Sequence, residues 1–233
     1  ASVSVADGGL GLNRRITRPI AVIGCSSGGV ANTPAAYAAT PDAVADLGRG
    51  PLIEMGASIL DLGAGPVVLC KAATQTAAAA GSVVHAGTGV SELTVTGVPY
   101  DAFRVVAKIT RTAATLEALT AAVRVSLDGG ETYGEEVAIP VNGVVTPPGT
   151  NLTLTFDDDS AGSFVEGDTY TFSTTAPLWN NAGLVAALNA LLASSTDFEG
   201  IIVEGAAVAT NGGETLFNLV SSQIKIGSDG STV

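Results

Sequence analysis

A serine near the N-terminus lies in a pattern that could support nucleophilic catalysis. Ser26 stands in Gly-Cys-Ser-Ser-Gly at residues 24–28, which fits the Gly-x-Ser-x-Gly nucleophile elbow, and it follows an apolar run over 19–24 that predicts a buried strand. The elbow needs a helix directly after the serine, because that helix aims the hydroxyl and supplies an oxyanion-binding N–H. Asn-Thr-Pro at 32–34 interrupts such a helix, and the only histidine, His85, lies in an Ala/Gly-rich stretch. We predict a polar loop here, with a serine hydrolase as the less favoured alternative.

A second pattern, Leu-Asp-Leu-Gly-Ala-Gly at 60–65, resembles the glycine loop that binds nucleoside cofactors in methyltransferases. That chemistry needs a strand before the glycines and a helix after them, so that backbone N–H groups face the ligand. Here a helical pattern comes before Gly63 and Gly65, and the apolar run Pro-Val-Val-Leu follows. We predict a helix-to-strand connection and no cofactor.

Three consecutive aspartates at 157–159, with Gly162 and Asp168 downstream, have part of the spacing of a calcium-binding loop. An EF-hand loop would need an oxygen ligand where Ala161 stands, and flanking helices where strands are predicted. A solvated hairpin loop is the favoured interpretation, and a calcium site in a β-turn stays open as the alternative.

Two cysteines complete the set of reactive side chains. Cys25 and Cys70 both lie in apolar runs and lack metal-ligand spacing, so we predict two small buried side chains, with a disulfide as the alternative. With one histidine and no carboxylate pair suited to acid–base work, we predict no catalytic residue and no metal site.

Composition points toward a subunit of an assembly. Of 233 residues, 46% are hydrophobic, enough for a substantial core, but only 14% are charged, so the surface must be covered by small residues or by other protein. The net charge is −12, and the densest basic run is Arg14-Arg15, which argues against nucleic-acid binding through phosphates. No apolar run approaches the ~20 residues of a membrane span, and the N-terminus lacks a signal-peptide pattern, so we expect no membrane insertion and a reducing compartment.

Outside a central segment of about a hundred residues, the predicted elements alternate between strand and helix. Strand 19–24 is followed by helices at 40–48 and 51–62, strand 66–72, a helix capped by Asn180 or Asn181, strand 200–204 and a helix opening at Asn211. We expect Thr40 to be the N-cap of the first helix. This pattern predicts an α/β layer.

The central segment has a different pattern. Residues 74–89 are low-complexity Ala, Gly and Thr and predict a linker. Strands punctuated by Gly and Pro turns follow at 91–96, 103–110, 123–127, 137–139, 152–156 and 169–173. We therefore predict the α/β (α+β) class: a discontinuous α/β domain of 19–76 and 176–233, an inserted antiparallel β-sandwich or barrel over 87–175, and an N-terminal arm over 1–18.

The order of these elements resembles the N-terminal half of contractile phage tail sheath proteins. The resemblance is carried by the run 19–24, by Thr-Pro-Asp-Ala-Val-Ala-Asp-Leu-Gly-Arg-Gly-Pro-Leu at 40–52 and by Gly-Pro-Val-Val-Leu at 65–69. Residues 125–133 and 167–172 are similar to β modules of phage virions. Sheath proteins are usually longer, with a further domain that contacts the inner tube, so a short relative or part of a longer polypeptide is expected.

The resemblance implies a non-enzymatic structural protein. Sheath subunits form stacked rings around a tail tube, meet a baseplate, and on contraction drive the tube through the host envelope. The expected location is the phage tail of the virion, after assembly in the host cytoplasm. Another phage tail subunit, such as a tube, baseplate or decoration protein, is the alternative.

The arm supplies the candidate interface residues. Val3 and Val5 alternate with small polar residues, as a strand donated to a neighbouring subunit's sheet would. A frayed terminus is the equally favoured alternative.

Overall fold

The computed structural model describes residues 19–63, 65–158 and 164–205, which contain three α-helices and fourteen strands. The helices are α1 (Thr40–Leu47), α2 (Pro51–Asp61) and α3 (Asn181–Ala193). The strands are β1 (Ile20–Gly24), β2 (Ala35–Tyr37), β3 (Val67–Lys71), β4 (Thr74–Thr76), β5 (Val84–Ala86), β6 (Glu92–Thr96), β7 (Arg104–Arg111), β8 (Ala122–Ser126), β9 (Val137–Ala138), β10 (Val144–Val145), β11 (Thr153–Asp157), β12 (Thr169–Ser173), β13 (Leu178–Trp179) and β14 (Gly200–Val203). Mixed helices and several separate sheets place the chain in the α+β class, as predicted.

One sheet has four strands in the order β14-β1-β3-β2. The central strand β1 pairs in parallel with both β14 and β3, while β2 runs antiparallel to β3. Continuous apolar runs are typical of parallel strands that are covered on both faces. The predicted strands at 19–24, 66–72 and 200–204 are confirmed.

Helices cover both faces of this four-stranded sheet. Helices α1 and α2 pack on the face that carries Val22, Val67 and Leu69. Helix α3 and Trp179 pack on the opposite face, against Ile23 and Cys70. Because successive strand residues point to opposite faces, a run such as 67–70 must be apolar throughout.

The helix starts follow the predicted signals with one correction. Asn180 is the N-cap of α3, and its side-chain oxygen accepts a hydrogen bond from the N–H of Gly183 at 2.8 Å. Thr40 is not an N-cap: it is the first helical residue of α1, and Ala39 occupies the cap position without a side-chain hydrogen bond. The helix can begin one residue earlier than expected because the N–H groups of its first turn have no carbonyl partner within the helix, so Pro41 is tolerated as its second residue.

The central segment forms two antiparallel sheets around one core. Their orders are β10-β11-β6 and β5-β12-β7-β8-β9. Both sheets contribute to a single buried cluster, whose largest members are Phe156, Phe164 and Tyr170. The described strands therefore form a β-sandwich and not a closed barrel, and the strands predicted between 91 and 173 are confirmed.

The prediction of a linker over 74–89 is wrong. Residues 74–76 form β4, which pairs with β13, and residues 84–86 form β5, which pairs with β12. Between them, the N–H of Gly81 donates to the carbonyl of Ser173 at 2.8 Å, and the N–H of Thr175 donates to the carbonyl of Ala79 at 2.9 Å. We call residues 74–81 and 173–179 together the connector ribbon. Backbone pairing needs no large side chains, so Ala- and Thr-rich sequence suffices once the partner is in place.

Two predicted elements, the arm over 1–18 and the helix opening at Asn211, lie outside the described residues. The short strands β2 and β10 are additions that the sequence patterns did not predict. A 3₁₀ turn at Leu116–Ala118 is a further element that the sequence patterns did not predict.

A pair of glycines tests how tightly the sandwich backbone is packed. Gly143 has φ 68° and lies against β11, where the N–H of Phe156 donates to its carbonyl at 2.9 Å. A Cβ at Gly143 would collide with the carbonyl oxygen of Phe156, whereas a Cβ at Gly167 (φ 97°) would meet nothing within 4 Å. We expect Gly143→Ala to lower the free energy of unfolding by roughly 3 kcal/mol or more, because backbone must move, and Gly167→Ala by about 1–2 kcal/mol from φ alone. Urea denaturation of the two variants measures the difference, and equal losses would contradict this packing.

Candidate functional surfaces

Ser26 is held inside the fold by its own loop. The residue is 3% exposed, and its hydroxyl donates to the carbonyl of Gly28 at 3.2 Å. The ammonium group of Lys71 donates to the same carbonyl at 2.8 Å. The N–H of Ser27 donates to the carbonyl of Arg49, so part of the loop backbone is also engaged. The chain then continues through a loop into β2 and not into a helix, which confirms the predicted polar loop.

The glycines at 63 and 65 join α2 to β3. The helix precedes them and the strand follows, which is the reverse of the order that a cofactor loop requires. Gly63 has φ 71°, and the neighbouring Leu62 is 84% exposed. The predicted helix-to-strand connection is confirmed.

Strand β11 ends at Asp157, the first of the three consecutive aspartates. The carboxylate of Asp158 accepts a hydrogen bond from the N–H of Leu116 at 2.7 Å, so this side chain ties the 3₁₀ turn to the sandwich. Asp159 and Gly162 lie outside the described residues.

Both cysteines are free and buried. The thiol of Cys70 donates to the carbonyl of Ala187 at 3.6 Å, and burial raises the pKa of that thiol to about 11. The prediction of two small buried side chains is confirmed, and the disulfide alternative is wrong.

His85 belongs to β5, whose sheet is different from that of β1, the strand that Ser26 follows. Its ring stacks on Tyr170 with centroids 4.6 Å apart, and its Nε2 lies 3.6 Å from a carboxylate oxygen of Asp168. That buried carboxylate accepts hydrogen bonds from the N–H groups of Thr88 and Gly89 at 3.0 and 2.8 Å. The single histidine therefore takes part in fastening residues 85–89 to β12.

The turn after β8 lies in the segment 125–133 that resembles virion β modules. The carboxylate of Asp128 accepts hydrogen bonds from the hydroxyl of Ser126 at 2.6 Å and from the N–H of Thr132 at 3.0 Å. These hydrogen bonds, with one from the Thr132 hydroxyl, hold the pKa of Asp128 well below its usual range. The aspartate thus organises the Asp-Gly-Gly turn at 128–130.

Three carboxyl groups meet where the sandwich touches the α/β layer. Glu54 comes from the first turn of α2, Asp101 from the β6–β7 connection and Glu204 from the residue after β14. They line a cleft of about 480 Å³, which we call the carboxylate cleft. Its remaining described lining is Pro51, Met55, Ser58, Ala102, Phe103, Ala176 and Gly205.

The carboxylate cleft alters the acidity of Glu54. Partial burial, the negative charges of Asp101 and Glu204, and a hydrogen bond to Asp101 raise the pKa of Glu54 from 4.5 to about 6. More than a third of the Glu54 surface remains exposed, so water screens part of this repulsion. The sequence patterns missed this cluster, because its members come from three separate elements and no spacing relates them.

The outer edge of the four-stranded sheet is the second candidate surface. Strand β14 pairs with β1 on one side, and no described strand pairs with its other side. All four residues of β14 are half-buried. The predicted interface residues Val3 and Val5 lie outside the described residues, so the structure does not test them.

None of the described helices has the length and apolarity needed to cross a bilayer.

Comparisons with known proteins find a similarity to a solved structure. No family model matches the chain, and no curated protein matches it. The crystal structure of the sheath tail protein Lin1278 from Listeria innocua aligns with 93% of this chain at 14% sequence identity and a TM-score of 0.39. The alignment covers 47% of Lin1278, so the chain spans about half the length of that protein.

The Asp168 hydrogen bonds allow a test of how firmly residues 85–89 are held. We expect Asp168→Asn to lower the free energy of unfolding by about 2 kcal/mol, because one buried N–H loses its charged acceptor. Glu166→Gln, two residues away and exposed, is the matched control and should change it by less than about 0.5 kcal/mol. Urea denaturation gives both values, and similar values for the two variants would contradict this role of Asp168.

Proposed function

We propose that this chain is a structural subunit of a contractile phage tail sheath, which polymerises around an inner tube and drives it through the host envelope on contraction. The observation that carries the proposal is the order of elements in the α/β layer. The segments that resemble sheath proteins form β1, then α1 and α2, then β3, with a β-rich segment and a further helix and strand after them. Strand, short helix, helix and strand is the order that the resemblance implies.

Neighbouring subunits would be linked through the edge of β14 that pairs with no described strand. Such an edge offers N–H and C=O groups in a row, and an extended segment from another subunit can pair with them by β-augmentation. Each backbone hydrogen bond contributes only about 1 kcal/mol net, so one arm holds weakly and a ring of arms holds cooperatively. We assign Val3 and Val5 to this role, as the apolar face of the donated arm.

The partners that this function implies are further copies of the chain in stacked rings, the tail tube protein and the baseplate. The location is the virion tail, after assembly in the host cytoplasm. A net charge of −12 favours partner surfaces that are basic.

The division into domains belongs to the same proposal. Residues 19–76 and 176–233 form the sheath-like domain, and 87–175 form an inserted β domain that faces outward, away from the tube. The connector ribbon supports this division, because the two chain segments that run to and from the sandwich lie side by side at Gly81 and Ser173.

The first test is negative-stain electron microscopy of the purified protein, alone and with the tube protein. We expect hollow tubes or stacked rings, and we expect Val3→Glu/Val5→Glu to abolish them, because two charges would replace the apolar face of the arm. Ser2→Glu/Ser4→Glu is the matched control: in a strand these residues face the other side, so it should still assemble. Compact monomers under all conditions, or equal loss in both double variants, would contradict the proposal.

The second test removes the sandwich. We expect a variant in which Asn-Gly replaces residues 82–172 to keep the fold of the α/β layer and still to assemble, because Gly81 and Ser173 are already hydrogen-bonded neighbours. Circular dichroism checks that the variant is folded, and electron microscopy checks the tubes. A folded variant that no longer assembles would place the sandwich within the lattice contacts and overturn the outward position.

A further inference from the structure

The connector ribbon and the carboxylate cleft are two of the places at which the β-sandwich meets the α/β layer, and hydrogen bonds link them. Thr174, a buried residue of the ribbon, joins them: its hydroxyl oxygen accepts from the N–H of Phe103 and its hydroxyl donates to the carbonyl of Asp101, both at 2.7 Å. The sandwich wall of the cleft is therefore attached to the ribbon at Thr174, the end of the ribbon nearest the sandwich.

The opposite wall of the cleft is anchored to the four-stranded sheet. The N–H of Glu204 donates to the carbonyl of Ile23 at 2.7 Å, and its own carbonyl accepts from the indole N–H of Trp179 at 2.8 Å. Glu54 is fixed by its place in the first turn of α2. A change in the attraction between Glu54 and Asp101 thus acts between the two walls of the cleft, each of which is held by its own hydrogen bonds.

The groups that face Glu54 across the cleft are both acidic. Asp101 and Glu204 line the cleft together with Glu54, and both raise the pKa of Glu54, Asp101 through its charge and a hydrogen bond and Glu204 through its charge. No lysine, arginine or histidine occurs among the described residues that line the cleft. Two carboxyl groups can share a hydrogen bond only when one of them holds a proton, whereas two carboxylates repel each other.

We propose that the carboxylate cleft is a proton-operated contact that sets the position of the β-sandwich relative to the α/β layer. With Glu54 protonated, its O–H donates to the carboxylate of Asp101 and holds the sandwich against α2. With Glu54 ionised, three negative charges share the cleft and the sandwich swings away about the connector ribbon. This inference is independent of the proposed assembly.

The direction of the pH effect follows from the acidity of Glu54. Its pKa in the folded protein, about 6, is above its ordinary value, so the folded state binds the proton more tightly than the unfolded state. The stabilising contact is complete at pH values below the ordinary pKa and is lost as the pH rises through about 6.

Distances between two spin labels test the motion directly. Labels at Leu62→Cys on the end of α2 and at Val141→Cys on the sandwich use sites that are 84% and 56% exposed, whereas the native Cys25 and Cys70 are buried. The labelled protein is diluted with unlabelled protein, and the distance is measured by double electron–electron resonance at about pH 5 and pH 7.5. We expect a shift to longer and broader distances at the higher pH.

Three variants decide whether Glu54 causes the shift. Glu54→Gln, whose amide N–H₂ can still donate to Asp101, should keep the short distance at both pH values, and Asp101→Asn should lose most of the shift. Glu92→Gln, an exposed change elsewhere on the sandwich, should shift as the wild type does. An unchanged distance in the wild type, or a shift that persists in Glu54→Gln, would overturn the proposal.

Unfolding measurements give an independent readout. The ratio of unfolding constants, wild type to Glu54→Gln, should rise a few-fold from about pH 4.5 to pH 7.5, with Glu92→Gln as control. Without solvent screening, the shift in the pKa of Glu54 would give about 15-fold over this range. A ratio that does not change with pH would also overturn the proposal.

Discussion

Strand β1 has hydrogen-bonded parallel neighbours on both sides, and the rest of the chain is arranged to supply them. Parallel neighbours cannot be joined by a tight hairpin, so each requires a crossover. The first crossover holds α1 and α2 and returns as β3. The second holds the whole sandwich and α3 before it returns as β14. Two crossovers that cover opposite faces leave Ala21, Val22 and Ile23 with no exposed surface.

The elements that the sequence predicts are those marked by residues close to them in the chain. Strands β1 and β3 are continuous apolar runs, α2 opens at a proline, and α3 opens at an asparagine cap, so nearby residues were sufficient evidence for each. The ribbon strands β4 and β13 are different, because each has only a few paired residues and its partner lies about a hundred residues away in the chain. Their stability comes from that partner, and no local pattern of Ala, Thr and Gln reveals it. The same holds for β10, which has two residues.

The candidate functional sites also differ in how far the sequence alone predicts them. Whether Ser26 or the glycines at 63 and 65 can serve a reaction depends on which element comes before and after them, and sequence patterns predict element order well. The carboxylate cleft depends on three elements converging in space. None of Glu54, Asp101 and Glu204 has a neighbour in sequence that marks it, so only the tertiary structure reveals that the three carboxyl groups line one cleft.

The connector ribbon also bears on the order in which the chain folds. Pairing Ile20 with Gly200 closes a very long loop, and loops of that length make parallel sheets slow to form. A sandwich that folds first brings Gly81 beside Ser173 and removes about half of that loop from the search. The loop-closure entropy changes by only about 0.6 kcal/mol for each halving of length, so the thermodynamic gain is small. The kinetic gain is that β14 then searches for β1 from a shorter tether, while its slow-forming, aggregation-prone edge is exposed for less time.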